Sequence, residues 1–468
     1  MSRLFHEDTL LRGTGADDVA RALYDVAAGL PLICPHGHTD PAWFAANSAF
    51  QDPAALIVTP DHYITRMFTS QGLSPDDFGI ARRDGTRRAS NPRAIWRRFA
   101  EHWHLFRGTP TRLWLDITFQ RLFGITDPLT PATADAVYDT IAAALETPEF
   151  RPRALFERFG IEVLATTDNA LDTLEHHSAI QASGWKGRVI PTYRPDQVTD
   201  PDHEGFAAAL DRMGDLTGED TGTWQGYLAA HHSRRAFFRT RGATATDHGT
   251  PDARTADLDW SEAAVLYDRI RRGRPEPDDH ALFRAQMLTE MARMSAEDGM
   301  VMQIHPGSFR NHNRHVFERF GRDKGFDIPT QTEFTRSLWP LLNALGNKPG
   351  LRIVLFTLDE TTYARELAPL AGAWPSLVLG PAWWFHDSAE GMRRFREMTT
   401  ETAGICNTAG FNDDTRAFPS IPARHEVARR VDCAWLARMV ADHRLREDEA
   451  FDMIEELSCG LARRTYRL

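Results

Sequence analysis

Short apolar runs of strand character, most of them closing in polar residues, recur along the chain. They fall at 31–38 (Pro-Leu-Ile-Cys-Pro-His-Gly-His), 161–168, 187–193, 242–247, 299–305, 351–357, 375–380 and 403–411. Between them apolar positions recur at helical intervals, clearest over 261–272, 280–297, 331–345 and 388–399. A helix within 8–29 precedes the first run, with Leu10, Val19, Leu23 and Val26 in phase. Helices over 423–442 and 446–463 close the chain. Eight strands alternating with helices predict the α/β class and a (β/α)8 TIM-like barrel.

The rhythm is broken once. More than 120 residues separate the first run from the second, far beyond an ordinary connection. The pattern there is helical: Arg93–Glu101 is amphipathic, and Pro131–Leu145 starts beside proline and runs through alanines. The reading is therefore a barrel with a large helical insertion after strand 1. Residues 1–38 hold the N-terminal helix and first strand, 39–155 the inserted unit, and 156–468 the remaining barrel with its C-terminal helices. No repeat, low-complexity tract or flexible linker interrupts this order.

Composition narrows the function classes. The 468 residues are 42% hydrophobic and 25% charged, and 54 basic against 65 acidic side chains give a net −11. That balance argues against nucleic-acid binding, but a few local arginines are enough to hold a small anion. Cys34, Cys406, Cys433 and Cys459 lack CxxC spacing; they read as reduced thiols of a cytoplasmic protein, with Cys34 and Cys406 expected to be buried. No apolar leader and no uncharged apolar window of about 18 residues is present, against secretion or membrane insertion. Three of the 54 basic residues are lysines (Lys186, Lys324 and Lys348), and none ends a predicted strand. Schiff-base chemistry and a lysine-derived bridging metal ligand are disfavoured on that ground.

In a barrel, chemistry gathers where strands give way to loops. Side chains at i and i+2 of a strand share a face, so His36 and His38 converge, and such a pair suits Zn²⁺. Taken alone, the doublet reads equally as two surface histidines. Later strands end in Thr166-Thr167-Asp168, Tyr193-Arg194-Pro195-Asp196, Asp247-His248, and His305 with Arg310 and Asn311 beyond it. The last three end in Asp359-Glu360, Trp383-Trp384-Phe385-His386-Asp387 and Asp413-Asp414-Thr415-Arg416. The HxH after the first strand, histidine after the fifth and aspartate after the eighth resemble the amidohydrolase superfamily. The fourth strand lacks a lysine and the sixth ends in acids, which argues for a mononuclear site over a binuclear one.

A closer resemblance runs over nearly the whole length. PHGH at 35–38, PDHY at 60–63, FGIT at 123–126, TTDNALDTLEHH at 166–177 and YRPD at 193–196 resemble the uronate isomerase (glucuronate isomerase) family. So do HPGSFRNHN at 305–313, WWFHD at 383–387, DDTR at 413–416 and RHEVARR at 424–430. Cys34-Pro35 departs from the acidic-aromatic pair that often precedes the first histidine. The resemblance implies an aldose–ketose isomerase interconverting D-glucuronate and D-fructuronate, and D-galacturonate and D-tagaturonate, by proton transfer through a cis-enediol. It implies one divalent metal ion, zinc, on His36, His38 and Asp414, the Asp-x-Arg spacing selecting Asp414 over Asp413. It assigns Arg194 and Arg416 to the substrate, where a planar guanidinium suits a carboxylate, with Arg310 as a third cation. His62 and Tyr63 would reach the site from the insertion, Tyr63 passing a proton. His305 and Asp247 would contact substrate or proton, Asp414 would act as base, and Trp384 would wall the pocket. His176 and His177 read as structural.

Two rivals stand beside this reading: a mononuclear metal-dependent hydrolase or lactonase, and a non-catalytic sugar-acid binder. The expected partner is a small hexuronate, with no nucleic acid or membrane; homo-oligomerisation is left open. A hydride shift is the alternative to the enediol, and the several oxygen and nitrogen bases at the rim favour proton transfer.

Overall fold

The apolar runs become short parallel strands, and the residues just past them stay irregular. This computed structural model describes residues 4–88 and 91–468; residues 1–3 and 89–90, within the predicted first and inserted segments, lie outside it. The strands are β1 (Leu32–Cys34), β2 (Ile161–Ala165), β3 (Asp168–Asn169), β4 (Arg188–Ile190), β5 (Tyr193–Arg194) and β6 (Ala245–His248). They continue with β7 (Val301–Ile304), β8 (Ser308–Phe309), β9 (Ile328–Pro329), β10 (Ile353–Leu355) and β11 (Leu377–Leu379). One sheet runs β1-β2-β4 and another β11-β10-β7-β6-β5-β3. All their neighbouring pairs are parallel.

The predicted second and third strands are each split in two, β2 then β3 and β4 then β5. Thr166 N donates to Ile190 O (2.9 Å) and Asp168 N to Thr192 O (3.0 Å), carrying the ladder across both breaks. Dense Val, Ile and Leu with almost no polar interruption is what strands buried on both faces require; β7, β10 and β11 are buried at every position.

Between β1 and β2 the described chain carries helices and no strand, among them His62–Ser70, Pro92–Glu101, Pro110–Phe123 and Ala134–Leu145. Two start with proline at the first turn and a capping side chain before it, Asn91 and Thr109, as helix N-termini favour. Trp96, Phe99, Phe68, Phe119 and Ile141 belong to an apolar cluster of this region, and Trp96 Nε1 donates to Ala134 O at 3.0 Å.

The helix Ile421–Ala441 is buried along most of its length and binds distant backbone through arginines. Arg424 Nη1 donates to Asp413 O (3.1 Å), Arg429 Nη2 to Leu30 O and Pro31 O (2.9 and 2.8 Å), and Arg430 Nη1 to Thr9 O (3.0 Å). One helix thus fixes the chain start, the approach to β1 and the loop before Asp414. Among the described residues no helix is long and apolar enough to cross a membrane.

Several expectations are corrected. The run 403–411 is not a strand: it makes a short 3-10 turn, Ile405–Asn407, and one parallel bridge from Thr408 to Leu379. Gly404 (φ 67°) and Gly410 (φ 80°) take left-handed backbone on either side, which no strand continues through. Cys406 is exposed in that turn, whereas Cys34, Cys433 and Cys459 are buried, and all four are free thiols. The N-terminal helix is confined to Asp17–Ala28, with Leu10 left-handed (φ 68°) outside it. Over 331–345 only Trp339–Leu345 is helical. Before it, Glu366 Oε2 accepts from Phe334 N and Thr335 N, and Glu333 from Arg336 N and Ser337 N, holding that stretch as a loop.

Candidate active site

A cavity of about 570 Å³ opens where the parallel strands end. His36 and His38 reach it after β1, Thr166 and Thr167 after β2, and Arg194 and Asp196 from β5 and just beyond. Gly249 follows β6, His305 follows β7, Leu358 follows β10, and Trp383 and Trp384 follow β11; Asp414, Thr415 and Arg416 complete the ring. Asp61, His62 and Tyr63 cover it from the helical region, and Arg310, Arg322, Asp323 and Asp327 from the excursion around the antiparallel pair β8–β9.

His36 Nε2 lies 3.5 Å and His38 Nε2 3.3 Å from Asp414 Oδ1, and the three ligand atoms form one of two such groups among the described residues. Ligands about 2.0–2.2 Å from a tetrahedral ion lie about 3.4 Å from each other, so the spacing fits a divalent cation. His36 Nδ1 and Asp414 Oδ1 are buried with no aligned hydrogen bond, while Asp414 Oδ2 accepts from Trp383 Nε1. Asp414 itself sits at φ 41°. Burial disfavours its charge, but His36 and His38 outweigh that and hold it well below the usual carboxylate range. Burial also opposes charge on His36, yet Asp247 and Asp414 raise it above the ordinary imidazole value. His38 is lowered by burial.

The second group, Cys34, Asp413 and His425, is buried behind the ligand pair. Cys34 Sγ is 3.7 Å from His425 Nε2, which is 3.5 Å from Asp413 Oδ2. Burial and then Asp413 push the thiol well up, so it stays protonated. Asp247 is fully buried beneath the floor and does not line the cavity. It touches His305 Nε2 at 2.9 Å, Arg194 Nη1 at 3.4 Å and His36 Nδ1 at 3.9 Å. Against the pull of burial these three hold it ionised, far below its usual value.

The cations differ in how they are paired. Arg194 Nε donates to Asp196 Oδ2 at 2.9 Å, and Arg310 Nη1 to Asp327 Oδ2 at 3.1 Å. Arg416 has no hydrogen bond or ion pair among the described residues. Gly249 lies where guanidinia crowd: a Cβ there would meet Arg310 Nη2 at 2.8 Å, His305 Cε1 at 2.8 Å and Arg194 Nη2 at 2.9 Å. Lys324, beside Asp323, is held below the ordinary ammonium range by burial and by Arg416.

Tyr63 comes from the first turn of helix His62–Ser70, where the Asp61 side chain accepts from Tyr63 N (2.8 Å) and Ile64 N (3.4 Å). Its hydroxyl donates to Asp387 Oδ2 at 2.7 Å. Gly325 (φ 87°) lets the β8–β9 excursion close on His62, whose carbonyl oxygen would lie 2.8 Å from any Cβ.

Other strand-end residues turn away. Asp359 Oδ2 accepts from Thr332 N (3.2 Å) and Glu360 pairs with Arg394 (3.0 Å). His248 Nε2 meets Thr246 Oγ1 at 2.9 Å, and buried His177 Nε2 meets Thr166 Oγ1 at 2.9 Å. Asp196, Trp383, Asp387 and Arg424 stand in the quoted motifs without a role assigned to them, although the motifs could have pointed there. Asp323 and Asp327 carried no local signal.

The family of sequences described as glucuronate isomerase matches residues 1–466. The uronate isomerase of Rhizobium meliloti (strain 1021) is 62% identical over 450 residues, 96% of each chain. The crystal structure of glucuronate isomerase from Caulobacter crescentus superposes with a TM-score of 0.98 at 54% identity, over 100% of this chain and 98% of that one. That of uronate isomerase from Thermotoga maritima gives 0.92 at 28% identity over 99% of both.

Proposed function

The chain belongs to the glucuronate isomerase family and is an isomerase, and from that premise we propose that it interconverts D-glucuronate and D-fructuronate in hexuronate catabolism, and D-galacturonate and D-tagaturonate likewise. The observation that carries the substrate class is Arg416, a guanidinium in the cavity that makes no direct ion pair among the described residues and has Asp323 as a facing charge. A guanidinium in a partly buried pocket without a direct hydrogen-bonded partner leaves its planar fork open, and a sugar carboxylate fills it bidentately.

The isomerisation moves a proton from C2 to C1 and shifts the carbonyl. His36, His38 and Asp414 would hold one divalent ion, zinc by the softness and number of the donors, which supplies Lewis-acid polarisation of sugar oxygens. Asp414 is the base candidate nearest this end of the sugar, and Tyr63 exchanges the proton of a sugar oxygen. His305, buried against Asp247, presents its ring to substrate, while Arg194, Arg310 and His62 enclose the sugar and Trp384 walls it. Asp247 acts from beneath, fixing His305 and Arg194.

The parallel strands are taken as the wall of a (β/α)8 barrel. Support comes from Ala409 N donating to Leu379 O (2.8 Å) and His38 N to Thr415 O (3.1 Å), which bring the eighth segment against both β11 and β1. Residues 39–155 are read as a unit inserted after its first strand, supported by their own apolar cluster. A cytoplasmic location accords with four free thiols.

The test is purified protein with D-glucuronate in D₂O, followed by NMR. The expected outcome is D-fructuronate carrying deuterium at C1. No ketose, a hydrolysis product, or glucose turned over as well as glucuronate would overturn the reading.

A further inference from the structure

We propose that Asp387, held in place by Arg424, is the positioning residue that aims the Tyr63 phenol at the reacting oxygens of the sugar and ties it to Asp414. The inference rests on the isomerase reading above and adds a part to it.

Tyr63 hangs on a helix outside the strands, so its hydroxyl needs an anchor on the strand side. Asp387 provides it, accepting the phenol proton on Oδ2 at 2.7 Å. That commits the only phenol proton to Asp387 and leaves the oxygen's lone pairs for a substrate hydroxyl. Arg424 Nη1 reaches the same carboxylate oxygen at 3.3 Å and the carbonyl of Asp413 at 3.1 Å. One nitrogen thus joins the Tyr63 anchor to the peptide that leads into Asp414, whose backbone is left-handed (φ 41°). The guanidinium is fixed in turn by the Trp114 ring, 3.8 Å from its centroid, and Trp114 meets Tyr63 edge-on at 5.6 Å.

Tyr63, Asp387, Arg424 and Trp114 thus form one contiguous group, of which only Tyr63 and Arg424 border the cavity. Asp387 Oδ1 is buried without a partner, a loss tolerated where a carboxylate is kept for its other oxygen. Burial favours the neutral acid and raises Asp387 above the usual carboxylate range, while Arg424 opposes this.

The test is D387N against Y63F and the double variant, with kcat, KM and bound metal measured in each. Asp387→Asn is expected to lower kcat by at least about tenfold with KM for glucuronate within about threefold and metal content unchanged. Y63F should lower kcat similarly, and the double variant no further than the worse single one. A D387N enzyme with wild-type kcat, or losses that multiply in the double variant, would overturn the proposal. Should D387N not be recovered folded, D387E decides: partial activity supports the anchor, and a KM or metal loss exceeding the kcat loss sinks it. If the wild-type protein forms no ketose at all, the isomerase reading itself has failed, and the anchor is not what was disproved.

Discussion

His36 and His38 are next to each other on one strand end, yet they are not chemically alike. Asp247 and Asp414 raise the first, and burial lowers the second. Metal ligation requires neutral imidazoles, so His36 must release its proton to bind. Occupancy should therefore weaken as pH falls, starting above the ordinary histidine value near ~6.5. His36→Ala or His38→Ala leaves two ligands of three, and metal content and turnover should fall together, by at least about tenfold. Atomic absorption on dialysed variants checks this, and unchanged metal in both would refute the ligand assignment. The same neighbourhood shows what single residues reveal in a sequence. The HxH spacing suggested a shared strand face, yet both histidines lie past β1 in irregular chain and meet instead at Asp414 Oδ1. Asp247 reads as a rim residue from its strand-end position, but its side chain is fully buried and contacts His305 and Arg194.

At the scale of elements, the strand ends supply the site and the turn after β6 leaves room for it. Gly249 has no side chain at a point where three cationic or imidazole groups come within 3 Å of a would-be Cβ. Gly249→Ala should push Arg194, Arg310 and His305 apart and raise KM for hexuronates by about tenfold or more. Far-ultraviolet circular dichroism should not change, and an unaltered KM would show that these groups do not close on substrate. Most of the strands were legible as aliphatic runs bounded by glycine and polar residues, such as β2, β10 and β11, and β6 (Ala-Thr-Asp-His) from its place in the strand–helix alternation. The eighth was not, because Gly404 and Gly410 turn the backbone out of the extended region. The helix expected over 331–345 shrank because Glu333 and Glu366 bind the backbone of its first half. The latter contact spans more than 30 residues, which no local pattern reports.

For the molecule as a whole, charge is carried by arginine, and the structure uses it as an internal tie: Arg424, Arg429 and Arg430 each fasten a separate segment to one helix. The consequence is a surface nearly blank to amine chemistry. Lysine offers three positions, and Lys324 stands beside Arg416 and Asp323, its ammonium held low by burial and by Arg416. A lowered pKa leaves more free amine at neutral pH, so acylating reagents should modify Lys324 faster than Lys186 or Lys348. Loss of activity should follow the labelling of Lys324 rather than that of exposed Lys186 or Lys348, as peptide mass mapping would show. Added glucuronate should slow both events, since a sugar bound on Arg416 would shield its neighbour; labelling of Lys324 unaffected by substrate would separate that lysine from the site. Coupled through amines, such an enzyme would be held at very few points, with exposed Lys186 and Lys348 the anchors that leave the cavity clear.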